Sequence, residues 1–440
     1  MDLILAFVVF LAHILICLVT GWSLILAMCV GFLCFMAVGL HRGFSLTELM
    51  CMAGRGSKSA LVVVRIMVLV GMLTALWRAS GTIAYFVQRG VGLITPRSFL
   101  LMAFLLPALM SLAFGSSFGV AGTAGVILMT IARSGSAHMA ITAGAVMSGA
   151  FIGERLSPAS SAAALTAAVT GTDQRKLQEG MWRTSWLPLL LCLALYSGLS
   201  VIHPISAVNT RILADMEAGF CLTWPAIAPA AALLLCAMLK IDTWLSIAAS
   251  CLTAAVVAVM VQEVPLEQLP KICMLGYTPQ RQALSELLSG GGICSMLSVL
   301  AIICLSCANC GIFNGTGMLD SVSSWAGRLV GRVGLFGTHV TLSLCCCGLF
   351  CNQSVSIVMS ANLTESYYRE HKLPPLLMGV NVGDSSINLS ALVPWSIMCG
   401  TVLSTIGGTL GALPFAFYLY LVPVCRGIQK YDCFPEKEIK

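Results

Sequence analysis

Apolar runs about as long as a bilayer is thick follow one another along this chain, and nothing constrains its folding more. Candidate spans lie near residues 3–20, 22–40, 59–77, 98–114, 118–132 and 138–152. Others lie near 185–203, 224–240, 242–261, 292–313, 335–351, 374–393 and 396–424. A helix crosses the hydrocarbon with about 20 apolar residues, and only helices and closed barrels satisfy every backbone group there. The runs do not alternate apolar with polar, so the expected fold class is an all-α polytopic membrane protein. Several runs are short or rich in Gly and Ser, and these predict re-entrant hairpins and broken helices.

Composition agrees. Charged residues make up 10% of the 440 and hydrophobic residues 58%, with a mean hydropathy of +0.94. An ordinary soluble domain carries roughly 25% charged residues, so a soluble enzyme and a disordered chain are excluded. The net charge of +6 fits the Lys and Arg bias of cytoplasmic loops. No basic stripe with interleaved aromatics is present, so no nucleic acid is expected as a partner. The expected location is the cell inner (plasma) membrane, multi-pass, with membrane lipids as partners and a homodimer as one arrangement. Arg42, Arg55 and Lys58, then Arg175, Lys176 and Arg183, then Lys430, Lys437 and Lys440 place these loops and both termini on the cytoplasmic side.

Most of the 20 cysteines lie inside apolar runs, where Cys acts as a small hydrophobe. Cys307 and Cys310 form a CxxC that overlaps Cys304-x-x-Cys307, but no His and no separate Cys pair completes a zinc spacing. HExxH and Walker motifs are missing, so neither an enzyme nor an ATP-driven pump is expected.

The stretch Glu263–Glu286 is the most polar one without a span, and it separates two similar halves. Gly81 and Gly315 follow apolar spans at an offset of 234. Gly115-Ser116-Ser117-Phe118 pairs with Cys351-Asn352-Gln353-Ser354 near 236, and Gly153-Glu154 with Gly383-Asp384 at 230. A duplicated unit is implied, of the kind that is often inverted in transporters and meets at a midplane site. The expected organisation is 1–57, N-terminal spans and a cytoplasmic loop; 58–262, the first repeat with connecting spans; 263–289, a polar linker; 290–425, the second repeat; and 426–440, a cytoplasmic tail.

Ionisable residues inside apolar runs carry the chemistry, because each costs about 2.5–3.5 kcal/mol on the insertion scale. Glu154 and Arg155 precede Ser157, Pro158, Ser160 and Ser161. Gly153 and Pro158 predict a broken helix whose freed backbone and hydroxyls hold a small ion or polar solute. Asp384 stands among Ser385, Ser386, Asn388 and Ser390, with Pro394 beyond. Hard cations take oxygen ligands, so Asp384 is a candidate sodium ligand. Adjacent residues on a helix do not face each other, so Glu154 does not pair with Arg155. Ser116 and Ser117 complete the candidate set. Arg65 is expected to snorkel to the interface, and His13 and His339 to be satisfied core residues.

These segments resemble the NhaC-type sodium/proton antiporter family. Its G-A-x-x-G-D-K-x-S-P-x-S-D-T-T-N segment reads here from Gly149 to Ala164, with Glu154 for Asp and Arg155 for Lys. Its second-half segment, E-D-x-G-T-x-x-S-P-L-I-P-W, is matched by Asp384, Ser390, Leu392, Pro394 and Trp395. Gly115-Ser116-Ser117-Phe118 and Leu288-Ser289-Gly290-Gly291-Gly292 with Met296 match further motifs. The resemblance implies two inverted repeats with broken helices at the midplane, Glu154 and Asp384 approaching one another there, and no cofactor beyond sodium or proton as coupling ion; with the repeats so placed, Arg155 is expected to pair across the break with Asp384. It implies a secondary active cation/proton antiporter. Ser161, Ala162, Ala163 and Ala164 replace D-T-T-N, which depletes the usual cation site. The alternative is therefore an exchanger or symporter of a small organic anion or amino acid coupled to sodium or protons.

Overall fold

The computed structural model describes residues 2–93, 95–205, 210–239, 241–279, 281, 284–285, 288–316 and 323–428. The described residues are helical almost throughout. The chain runs through α1 (Asp2–Thr20), α2 (Leu24–His41), α3 (Leu46–Ala79), α4 (Thr82–Leu93), α5 (Phe99–Phe114) and α6 (Ser117–Ser134). It continues through α7 (Met139–Leu156), α8 (Ser161–Thr170), α9 (Gln174–Ile202), α10 (Thr210–Gly219), α11 (Ala228–Met238), α12 (Thr243–Met260) and α13 (Leu269–Leu275). It ends with α14 (Leu297–Thr316), α15 (Ser323–Phe350), α16 (Gln353–Glu370), α17 (Pro375–Val382), α18 (Ile397–Ile406) and α19 (Phe417–Ile428).

By length and composition, Leu24–His41, Ser117–Ser134, Gln174–Ile202 and Leu329–Phe350 are long and apolar enough to cross a membrane. Val64–Ala79 and Thr82–Arg89 form one more as a pair bent by 65°. Shorter apolar helices such as Phe99–Ala113 and Trp244–Met260 accompany them. The chain is a multi-pass, all-α membrane protein.

The duplication is visible element by element. Phe99–Phe114 and 335–350, Ser117–Ser134 and Gln353–Glu370, and Ser161–Thr170 and Ile397–Ile406 each stand 236 residues apart, end for end. The left-handed turns repeat at the same spacing: Gly115 and Cys351 have φ of 67° and 55°, Ser136 and Lys372 51° and 52°, and Gly171 and Gly407 64° and 65°. Contacts are exchanged reciprocally. Helix α6 packs on α18, while its counterpart α16 packs on α8. Such reciprocity is the mark of a two-fold relation. It recurs where α3 meets the second half. A Cβ on Gly56 would lie 2.1 Å from the Cys307 carbonyl, and one on Gly71 would lie 2.8 Å from that of Gly292, the counterpart of Gly56.

This register corrects two of the sequence matches. The counterpart of Glu154 is Ser390, not Asp384, and the position matching Asp384 is Ser148. Gly315 lies inside α14 and matches Ala79, whereas Gly317, the counterpart of Gly81, is outside the described residues. Short Gly and Ser motifs recur too often in such a chain to mark a register. Helix α16 was not among the candidate spans, because its polar residues, Asn362 to Glu370 among them, dilute the apolar window. The Lys residues of the tail also lie outside the described residues.

Helix packing here rests on small residues. On α7, Gly149 and Gly153 lie on one face against α5, and a Cβ there would sit 2.3 Å from the Phe104 carbonyl and 1.8 Å from that of Ser111. Gly153 therefore does not loosen its helix; it permits the close approach typical of membrane helices.

Candidate functional site

The site is built around the break between α7 and α8. Pro158 has no N–H and cannot extend α7. The chain leaves the helix at Ser157, and Ser160 caps α8 by accepting from the Ala163 N–H at 3.1 Å. The Ser160 hydroxyl also donates to the Glu154 carbonyl. The second repeat copies this device: Ser396 accepts from the Cys399 N–H at 3.1 Å and donates to the Ser390 carbonyl at 2.5 Å. The break expected from the sequence is thus placed at residues 157–160.

Arg155 and Glu154 are neighbours but face apart. The Arg155 side chain is wholly buried. Its Nη2 donates to Asp384 Oδ1 at 2.5 Å and its Nε to the same oxygen at 3.1 Å. The remaining donors reach Thr184, Ser185, the Met181 carbonyl and the Tyr418 hydroxyl. Asp384 is also wholly buried and sits in a π-helical turn, 383–387, which continues α17. Such turns re-aim side chains and recur at functional sites. Thr184 donates to Asp384 Oδ1 at 3.3 Å, and Arg426 Nε lies 3.7 Å from Oδ2. The expected Arg155–Asp384 pair is therefore present. It ties α7 of the first repeat to the second repeat, with α9 and α19 closing around it. Two guanidinium groups surround one carboxylate.

The network extends further. Arg426 donates to Asn381 Oδ1 at 3.2 Å, and Asn381 donates to the Tyr368 hydroxyl at 2.8 Å. That hydroxyl meets His339 Nε2 at 3.0 Å, and His339 Nδ1 meets Ser360 at 3.0 Å. His339 is a satisfied buried residue. Arg65 is exposed and stacks on Trp244 with 3.2 Å to the ring centre.

Glu154 turns the other way. Its Oε1 accepts from the Ser117 N–H at 2.9 Å and the Ser117 hydroxyl at 2.8 Å. Ser117 is the first residue of α6, where N–H groups lack helical partners and attract negative charge. Among the described residues no Lys, Arg or His forms an ion pair with Glu154. The carboxylate lies on the wall of a cavity of about 910 Å³. Ser116, Pro158 and Ser161 line the same cavity, as do Asn352, Gln353 and Ser354 from the matching turn of the second repeat.

The structure thus divides the predicted residues. Glu154, Ser116, Pro158 and Ser161 meet at the cavity, with Ser117 behind Glu154. Arg155, Asp384, Ser385, Ser386, Asn388 and Ser390 are buried outside its lining. Ser385 and Ser386 both meet Ser343, Asn388 donates to the Asp384 carbonyl at 3.4 Å, and Ser390 donates to the Ile387 carbonyl. Ser157 accepts from the Ala159 N–H at 3.1 Å and keeps the turn in shape. Among the described residues Glu154 and Asp384 share no hydrogen-bond partner, because successive residues on α7 point to different faces. Thr184, Ser185, Tyr418 and Arg426 escaped the sequence reading. Arg426, a charge at the end of an apolar helix, was the one visible signal.

The profile of the Na+/H+ antiporter family matches residues 2–202 and 176–426. An uncharacterised Na+/H+ antiporter of Haemophilus influenzae is 27% identical over 365 residues, covering 80% of this chain and 78% of its own. The Na+/H+ antiporter NhaC of Alkalihalophilus pseudofirmus is 25% identical, covering 84% and 81%. The malate-2H+/Na+-lactate antiporter of Bacillus subtilis is 25% identical, covering 90% and 86%.

Proposed function

The chain belongs to the Na+/H+ antiporter family, and from this premise we propose that it is a secondary antiporter of the cell membrane that exchanges a cation for protons. One observation carries the reading: Glu154, buried and without a basic partner among the described residues, lies on the wall of a cavity lined by both repeats. Its free oxygen is the group on which a cation and a proton compete. Ser116, Ser161 and Gln353 carry neutral oxygens in the lining of the same cavity.

Arg155 and Asp384 play a different part. The pair is a latch between the repeats, and it keeps a strong positive charge off the cavity. Alternating access then moves one repeat against the other about the two-fold relation, with the repeats inverted in the membrane. Sodium at Asp384 is not part of this reading, since two guanidinium groups already face that carboxylate.

The alternative cargo, an organic anion, finds no match in the cavity. No Lys, Arg or His is among the described residues that line it. The test is proton flux in proteoliposomes holding a pH dye, pulsed in turn with Na+, Li+, K+, choline and malate. Antiport predicts alkalinisation of the lumen by at least one cation, lost in Glu154→Gln. A response to malate with silence for every cation would overturn the reading.

A further inference from the structure

We infer that the cargo of this cavity is an organic ammonium ion rather than a bare alkali cation; this rests on the antiport reading above and names its substrate. Three features of the cavity lead there.

The first is size. A water molecule's share of liquid volume is about 30 Å³, so about 910 Å³ holds on the order of thirty. Pockets for organic ligands span roughly 300–1,000 Å³. A bare ion would leave this space almost entirely to water.

The second is the lining. Ile66, Leu112, Leu165, Leu233, Ile247 and Met398 form apolar wall around a few polar groups. Apolar surface contributes to binding only if the ligand has an apolar body to bury against it. A hard cation gains nothing from these side chains and asks for about six oxygen ligands around one point. An ammonium ion with hydrocarbon substituents uses both kinds of wall. Phe118 adds an aromatic face, which attracts cations of this type.

The third is charge. Glu154, 5% exposed, and Asp242, exposed, both line the cavity. A cation thus meets two carboxylates there. The ligand carries no carboxylate of its own, because the described lining offers no basic residue to receive one. This separates a simple amine or quaternary ammonium ion from an amino acid. The same lining leaves Ser116, Ser161 and Ser246 as acceptors for N–H or hydroxyl groups near the head.

The experiment uses radiolabelled choline and tetraethylammonium in proteoliposomes with an inside-acid pH gradient. Their charge is permanent, so neither crosses the bilayer as a neutral base. Sodium and lithium run in parallel with the pH dye. Protonated n-butylamine is tested for binding by thermal shift of the detergent-purified protein, where no bilayer intervenes. The expected result is gradient-driven uptake of a quaternary ion, or a shift with butylammonium, unaffected by excess sodium. Glu154→Gln is expected to weaken it about 30-fold, the factor equivalent to about 2 kcal/mol. Leu165→Trp, which fills the apolar side and leaves Glu154 in place, is expected to block the organic ions and spare any sodium response. Sodium-evoked flux with no effect of any ammonium probe would overturn this inference and leave the antiport reading intact. Silence for every cation would bring both down.

Discussion

Replacing Asp384 by Asn tests whether the Arg155–Asp384 latch is closed and dry. Asn keeps the shape of Asp but removes the carboxylate that pairs with Arg155 and lies 3.7 Å from Arg426 Nε. Both partners are buried, at 0% and 4% exposure. Breaking a buried pair from one side costs about 3–5 kcal/mol, because the charge left behind is uncompensated. At roughly 1–2 °C per kcal/mol, extrapolated by size from smaller domains, the melting temperature in detergent falls by about 3–10 °C. A double-mutant cycle with Arg155→Met sharpens the test. Once Arg155 is gone, Asp384→Asn no longer strands the Arg155 guanidinium. The cycle should show a coupling of about 2 kcal/mol or more, within the range for groups in direct contact. A dye that reports cysteine exposure on unfolding reads all four proteins. A fall below about 1 °C for Asp384→Asn, or additive effects in the cycle, would refute the latch.

Other outcomes follow from the same geometry. Gly153→Ala forces α7 away from the Ser111 carbonyl and should cost about 3 kcal/mol, the upper end for overpacking. Gly171→Ala has open space and a left-handed φ of 64°, so its cost is about 1 kcal/mol; thermal melts of the two should differ clearly. In folded protein in detergent, an alkylating agent followed by mass mapping should mark exposed Cys51 and Cys221 and spare buried Cys347 and Cys399 until unfolding. Glu48, ahead of the apolar part of α3, has its pKa lowered by the Ser45 N–H and hydroxyl that it accepts from. A depressed pKa means that this capping box stabilises above the carboxylate's unfolded value and fades as pH falls through the folded one. Melts taken below pH 5 should therefore lose a small increment that Glu48→Gln lacks.

Much of the helical framework was legible because hydrophobic length is a local property. The spans at 98–114, 118–132 and 138–152 correspond to α5, α6 and α7. The break after Leu156 was legible too, since Pro158 ends a helix by its own covalent structure. The Arg155–Asp384 pair was expected from the meeting of the repeats that the resemblance implies, since Glu154, adjacent on the helix, does not face Arg155. Helix α16 was not legible, because polar residues such as Asn362, Glu365, Arg369 and Glu370 dilute its apolar window. The true spacing of 236 was hidden for a related reason. The repeated unit is a set of turns and helix lengths, and Cys351 can hold the left-handed turn that Gly115 holds.

What the sequence determined by itself is the solvent this chain folds in, its helical class, the place of the α7–α8 break and the residues too costly to be idle. Each depends on one residue's chemistry or on a stretch of neighbours. Only the tertiary structure decided which of those residues share a site. Glu154 and Arg155 are adjacent in the chain, yet one faces a cavity with Ser116, Asn352 and Gln353 and the other is sealed against Asp384, Thr184 and Tyr418. Helical geometry turns successive side chains by about 100°. The partners each one meets come from elements 26 to 263 residues away along the chain, which local pattern does not encode.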